Sequence, residues 1–178
     1  MQAYGSKDLA RAFRTVRANT IKIAEEIPED QYGFRPAEGV RTVAETLAHI
    51  ATTTAWPQAL HGPRLNSVNF HLFMGEMQKA LAEAAKLTSK DAILAKLRAD
   101  GDQFASFLES FPDEALAERV SYPAGMQPPD KSRFEMLLGT KEHEMHHRAQ
   151  LMVIERMLGI TPHLTREMQA RMAQTQKA

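Results

Sequence analysis

Apolar residues recur at three- and four-residue intervals through most of this chain, the spacing that lines one face of an α-helix. Leu9, Phe13, Val16, Ile23 and Ile27 mark a first helix over 6–27, with Ser6 in the capping position and Pro28 just past its end. Thr42-Val-Ala-Glu45 is a capping box. It opens a second helix whose stripe is Val43, Leu47, Ile50 and Thr54, and Pro57 ends or kinks it. Phe70, Phe73, Met77 and Leu81 predict an extra, shorter helix over 70–86. Ile93, Leu97, Phe104, Leu108 and Phe111 define a helix over 88–111, interrupted by Gly101 and stopped by Pro112. Ser132-Arg-Phe-Glu135 is a second capping box, and its helix runs to Leu158, with Gly159 and Pro162 closing it. A weakly amphipathic helix over 165–176 ends the chain. The segments 28–39 and 113–131 carry the breakers, and the second is expected to be an irregular crossover. Nothing alternates with period two for long, so no sheet is expected.

Four long helices with one or two short extras predict an all-α fold, a four-helix bundle. Residues 1–178 are expected to form one domain, with the core over 6–162. Bundles of this kind build their sites from side chains on facing helices.

Composition narrows the chemistry. Lys and Arg together number 22, as do Asp and Glu, so the net charge is zero. A balanced chain without basic clusters has no electrostatic footprint for nucleic acid or an anionic membrane. The first eight residues lack an apolar core and do not read as a signal peptide. No apolar run approaches a membrane span. The expectation is a cytoplasmic protein acting on a small molecule. There is no Cys, which removes thiolate ligands and a cysteine nucleophile. Any thiol used here must arrive on another molecule.

The segment Lys141-Glu-His143-Glu-Met-His146-His147-Arg148-Ala-Gln150 carries the most chemistry. His143 and His147, four apart on a helix, lie about 40° apart on its circumference. Met136 and Ile154 fall on the same inward stripe, while Lys141, Glu142, Arg148 and Arg156 lie off it. Two inward imidazoles need partners, because burying each alone costs about 1 kcal/mol or more. A shared divalent metal is one such partner. His49 is the best candidate for a third ligand. It lies about 120° from the centre of its helix's apolar stripe, yet Thr42, Thr46, His49 and Thr53 form an uncharged strip suited to a pocket wall. The competing reading is a set of ordinary hydrogen-bonded histidines.

Two other motifs overlap these residues. His143-Glu144-Met145-His146-His147 spells the H-E-x-x-H pattern of zinc proteases, with Glu144 as a candidate general base. The downstream His and the preceding strands of that class are missing. Glu144-x-x-His147 also matches half of a di-iron bundle motif, but there is no second copy. His146 is expected beside the ligands, and His61, His71 and His163 at the surface. Trp56 and Tyr32 are candidates for pocket or core, and Arg148 for an ion pair or, as the lesser reading, for binding an anionic substrate.

Three segments carry a family likeness. They are Arg35-Pro36-Ala-Glu-Gly39 through His49-Ile50-Ala51, Glu142 through Leu151, and Arg156-Met-Leu158-Gly159-Ile-Thr-Pro162. In content, order and separation they resemble the DinB-like superfamily of helical-bundle metalloproteins, over roughly 7–162. Ala149 stands where that family often has Gly. The resemblance implies a four-helix bundle of uncommon crossover topology, a divalent metal (Zn, Ni or Fe) held by His49, His143 and His147, and a homodimer. It also implies a metal-dependent enzyme. The leading activity is thiol S-transfer to a small electrophile with a low-molecular-weight thiol cosubstrate. Hydrolysis by metal-activated water is the alternative. A non-catalytic, stress-responsive module that binds a metal or small ligand is the third reading.

Overall fold

A computed structural model describes residues 4–176. Seven α-helices are present among them: α1 (Ser6–Glu26), α2 (Val43–Thr52), α3 (Ala55–His61), α4 (Phe70–Ala84), α5 (Lys90–Ser110), α6 (Arg133–Met157) and α7 (His163–Thr175). The long helices α1, α5 and α6 form the bundle with the shorter α2. Each of α1 and α2 packs against both α5 and α6, so α1 stands diagonal to α2, and α5 diagonal to α6. The chain therefore crosses the bundle diagonally from α1 to α2 and again from α5 to α6, while α2 and α5 are neighbours. The long loops at 28–39 and 113–131 make this possible.

Both expected capping boxes form. The Thr42 and Ser132 hydroxyls each accept the backbone N–H three residues on, and Glu45 and Glu135 accept the N–H groups of Thr42 and Ser132. The second helix departs from expectation. α2 stops at Thr52, and α3 begins at Ala55. The Thr52 and Thr53 hydroxyls turn back onto the carbonyls of Ala48 and Ile50, competing with helix propagation. Pro57 then sits in the first turn of α3, where its missing N–H is not needed. The expectation of no sheet is also corrected. The crossover contains a two-stranded antiparallel sheet, β1 (Arg119–Ser121) with β2 (Asp130–Ser132), Val120 opposite Lys131. Three residues are too few for a readable alternation. The last helix begins at His163, two residues earlier than expected.

The interior consists of two apolar clusters with a polar layer between them. One cluster joins Ile23, Ile27, Leu47, Ile50, Leu97, Leu151 and Ile154. The other joins Phe13, Phe104, Leu108, Phe111 and Leu137, with Phe13 and Phe104 edge to face. The layer between is built on Arg17 and Glu144, whose side chains are 4% and 3% exposed. The Arg17 guanidinium grips the carboxylate through Nε at 3.0 and 3.1 Å and through Nη2 at 3.0 Å. Its Nη1 also donates to the Leu97 carbonyl at 2.7 Å, and its Nη2 reaches the Ile50 carbonyl at 3.4 Å. One side chain thus bonds to all three of the other bundle helices. α5 runs unbroken through Gly101, whose lack of a side chain makes room for Arg17: a Cβ there would meet Arg17 Cγ at 2.8 Å.

Candidate metal centre

α2 and α6 bring three imidazoles to one point beside the polar layer. A ring nitrogen from each of His49, His143 and His147 lies within 4.8 Å of the others. His143 Nε2 is 3.2 Å from His49 Nε2 and 3.2 Å from His147 Nε2. Hydrogen bonding cannot satisfy this triangle. A neutral ring nitrogen either donates one proton or accepts at one in-plane lone pair, so His143 Nε2 can serve only one of its two close neighbours. Two nitrogens about 2.05 Å from a common tetrahedral ion stand about 3.3 Å apart. The observed spacing and the all-nitrogen donor set therefore fit a first-row divalent ion.

The protonation states agree. Burial, followed by the charge of Arg41 and the neighbouring imidazoles, pulls His49 down to about 4. Burial and the adjacent His147 pull His143 down to about 4 as well. Burial also lowers His147, against a raising contribution from Gln150. The rings are neutral near pH 7, as ligation requires. Gln150 was not anticipated from sequence, although it lies three residues beyond His147 on the same face of α6. Its amide oxygen accepts from His147 Nδ1 at 2.8 Å, which leaves the Nε2 lone pair free to face inward. Its amide nitrogen donates to His146 Nε2 at 3.2 Å, so His146 adjoins the group without joining it.

Other candidates fall elsewhere. Glu144 does not turn toward the imidazoles as a general base; Arg17 holds both of its oxygens in the interior. Because α6 advances 100° per residue, Glu144 faces α1 while its neighbour His143 faces α2. Among the described residues Arg148 forms no ion pair, and its Nε is buried without a hydrogen-bond partner. His61 and His163 are not surface residues but 1% and 4% exposed. His61 Nδ1 accepts from the buried Arg133, and His163 Nε2 lies 3.4 Å from Asn19 Oδ1. His71 is exposed as expected. Tyr32 belongs to the core, donating to the Ala24 carbonyl. Trp56 lines a groove of about 920 Å³ that also includes His49 and His143 in its wall.

The sequence matches the DinB superfamily over residues 12–151. The chain belongs to that superfamily. It is 25% identical over 161 residues to YjoA of Bacillus subtilis strain 168, named as an uncharacterized protein, spanning 88% of this chain and 92% of YjoA. The crystal structure of YjoA, described as DinB-like, superposes with a TM-score of 0.63 at 22% identity over 86% of this chain and 92% of that one. YfiT from Bacillus subtilis, described as a probable metal-dependent hydrolase with an unusual four-helix bundle topology, gives 0.67 at 15% identity, covering 90% and 91%. The colibactin self-resistance protein ClbS, solved in complex with double-stranded DNA, gives 0.64 at 13% identity, covering 88% and 98%. These structural likenesses establish the fold. Among the described residues, no helix is long and apolar enough to cross a membrane.

Proposed function

We propose that this DinB-superfamily chain is a metal-dependent enzyme acting on a small electrophilic molecule, with His49, His143 and His147 as the metal ligands. The observation that carries the reading is the triangle of ring nitrogens, which a shared cation satisfies and hydrogen bonds do not. When bound, the ion supplies Lewis acidity that lowers the pKa of a water or thiol beside it. The chain's own residues do the rest. Gln150 fixes the His147 tautomer. The groove bordering His49 and His143 receives the substrate.

Water is the nucleophile we favour, which reverses the order suggested by the family resemblance. The likeness to YfiT, described as a probable metal-dependent hydrolase, supports it. One observation favours the thiol as a second reading. Glu144, the carboxylate next to His143 in sequence, is locked to Arg17 and cannot deprotonate water. A thiol, already near pKa 8.5, needs less help. A homodimer belongs to the same proposal. Val153 and Met157 of α6 are 56% and 54% exposed, and Met168 and Met172 of α7 are 63% and 54% exposed, each pair at i,i+4 spacing.

Metal content by mass spectrometry of the purified protein tests the site. His49→Ala, His143→Ala and His147→Ala should each lose the ion, while His71→Ala keeps it. Full occupancy in all three would remove the proposal. Turnover of an activated ester or alkyl halide that does not respond to added thiol supports water; strict thiol dependence supports transfer.

A further inference from the structure

The groove beside the three imidazoles is built for a particular kind of ligand. Its outer wall is α4, a helix with no buried residue. Phe73, Met77 and Leu81 recur on α4 at four-residue spacing, and all three line the groove. Met77 and Leu81 remain 38% and 60% exposed. An amphipathic helix normally spends its apolar stripe on the core. Here the stripe faces an open cleft of about 920 Å³, at the upper end of the range for small-molecule sites. Trp56 meets Phe73 edge to face with centroids 5.0 Å apart, giving the cleft an aromatic wall.

The charges in the cleft are uneven. Glu45 is bound by Arg35 and by the Thr42 N–H, and Glu76 by Lys79. Arg41 is exposed and has no carboxylate partner among the described residues. It lines the same groove as His49 and His143, so its charge borders the cleft that those rings border. A cation beside a candidate metal site works against metal binding unless an anion joins them.

We infer that the groove binds an amphipathic monoanion: an aromatic or long-chain acid whose apolar body lies along α4 and whose anionic group pairs with Arg41 beside the three histidines. As a substrate class this rests on the proposed metal-dependent reaction, because it places the reactive part of the acid next to the ion. As a binding site it stands on the groove alone. A polyanion such as nucleic acid would find only one unpaired cation here.

The sole tryptophan, Trp56, provides the readout, since it lines the cleft. Full-length protein is titrated with 4-phenylbutyrate and with its uncharged counterpart 4-phenylbutanol, and Trp56 fluorescence is followed, both as purified and after chelation. The acid should bind about fivefold more tightly than the alcohol, as a partly exposed ion pair allows. Arg41→Met should erase that preference and leave alcohol binding intact. Leu81→Asp should weaken both ligands by about tenfold. Both positions are exposed, so neither variant threatens the fold. Equal binding of acid and alcohol by the wild type, or no saturable change with either, overturns the inference. An acid preference that survives Arg41→Met but disappears on chelation also overturns it, because the ion would then be the anion's partner and the metal reading would stand. Arg41-dependent binding in a protein that never takes up metal would leave the groove assigned and remove the proposed reaction.

Discussion

Replacing Arg17 with Met tests whether Glu144 is a structural rather than a catalytic carboxylate. The substitution keeps much of the side chain's length and removes its charge. It leaves the Glu144 carboxylate in an interior position where it is 3% exposed, without the three contacts of 3.0 to 3.1 Å that neutralise it. It also strips a donor from the Leu97 carbonyl. Removing one partner of a buried pair costs about 3–5 kcal/mol, because an uncompensated charge stays behind. Domains have about 5–15 kcal/mol in total, so the loss should be unmistakable in urea unfolding followed by circular dichroism. Glu144→Leu should cost a similar amount for the mirror-image reason. The double variant Arg17→Met/Glu144→Leu removes both charges and leaves apolar volume, so its loss should fall short of the sum of the singles by about 2 kcal/mol or more. Additive losses, or an Arg17→Met penalty under about 1 kcal/mol, would refute the pairing and return Glu144 to the list of candidate bases.

Three further outcomes follow from the same structure. Gly101→Ala gains helix propensity of about 1 kcal/mol but drives a methyl into the clamped Arg17 stem at 2.8 Å; net destabilisation of about 1–3 kcal/mol is expected in wild type and less in Arg17→Met. Gln150→Leu removes the acceptor from His147 Nδ1 and should weaken metal affinity about 10- to 100-fold, measured by competition with a chromogenic chelator. Burial, with Glu26 nearby, pushes Glu155 up to about 7 against the opposing pull of Arg166 and Arg156, and neither of its oxygens has a hydrogen-bond partner among the described residues. Between pH 4.5 and 7 the folded state therefore holds a proton that the unfolded chain has released, so this residue's contribution falls as pH rises through that window. Glu155→Gln should be about 1–3 kcal/mol more stable than wild type at pH 8 and close to it at pH 4.5, by urea midpoints at each pH.

The bundle was legible because its helices carry their signals locally: apolar residues at helical spacing, two capping boxes, and Pro or Gly at the ends. What escaped notice depends on residues distant in sequence. Nothing near Arg17 in the sequence announces Glu144, 127 residues away. Gly101 read as a weak point in a helix because its reason is the Arg17 side chain from another helix. His61 and His163 looked superficial because both adjoin breakers, yet His61 packs against Phe111 and Arg133, and His163 is buried at the start of α7 beside Asn19 of α1. The β1–β2 pairing was invisible at three residues per strand. At the candidate site, the His143 and His147 spacing was readable on one helix, but His49, off its own apolar stripe, required the family likeness. Gln150 was readable in principle, since a ligand imidazole needs an acceptor for its outer N–H and the i+3 position can supply one.

The polar layer and the three histidines occupy the same level of the bundle, and that coincidence has a physical consequence. An all-apolar interior of matching volume is often as stable as a buried ion pair or more so, so stability alone does not account for Arg17 and Glu144. What the pair does that leucines cannot is fix register. Arg17 bonds in directed geometry to Glu144 on α6, to the Ile50 carbonyl on α2 and to the Leu97 carbonyl on α5. Ile50 is adjacent to His49, and Glu144 is adjacent to His143. The same guanidinium therefore ties together the two helices whose sliding would separate the ring nitrogens. Apolar contacts tolerate shifts of an ångström; a 3.2 Å nitrogen triangle does not. The double variant Arg17→Met/Glu144→Leu separates the two roles. If registration is the function of the pair, that protein regains most of its resistance to urea while its metal affinity stays well below wild type. If metal affinity recovers along with stability, the layer contributes nothing to the site, and the histidines are held by the surrounding apolar packing alone.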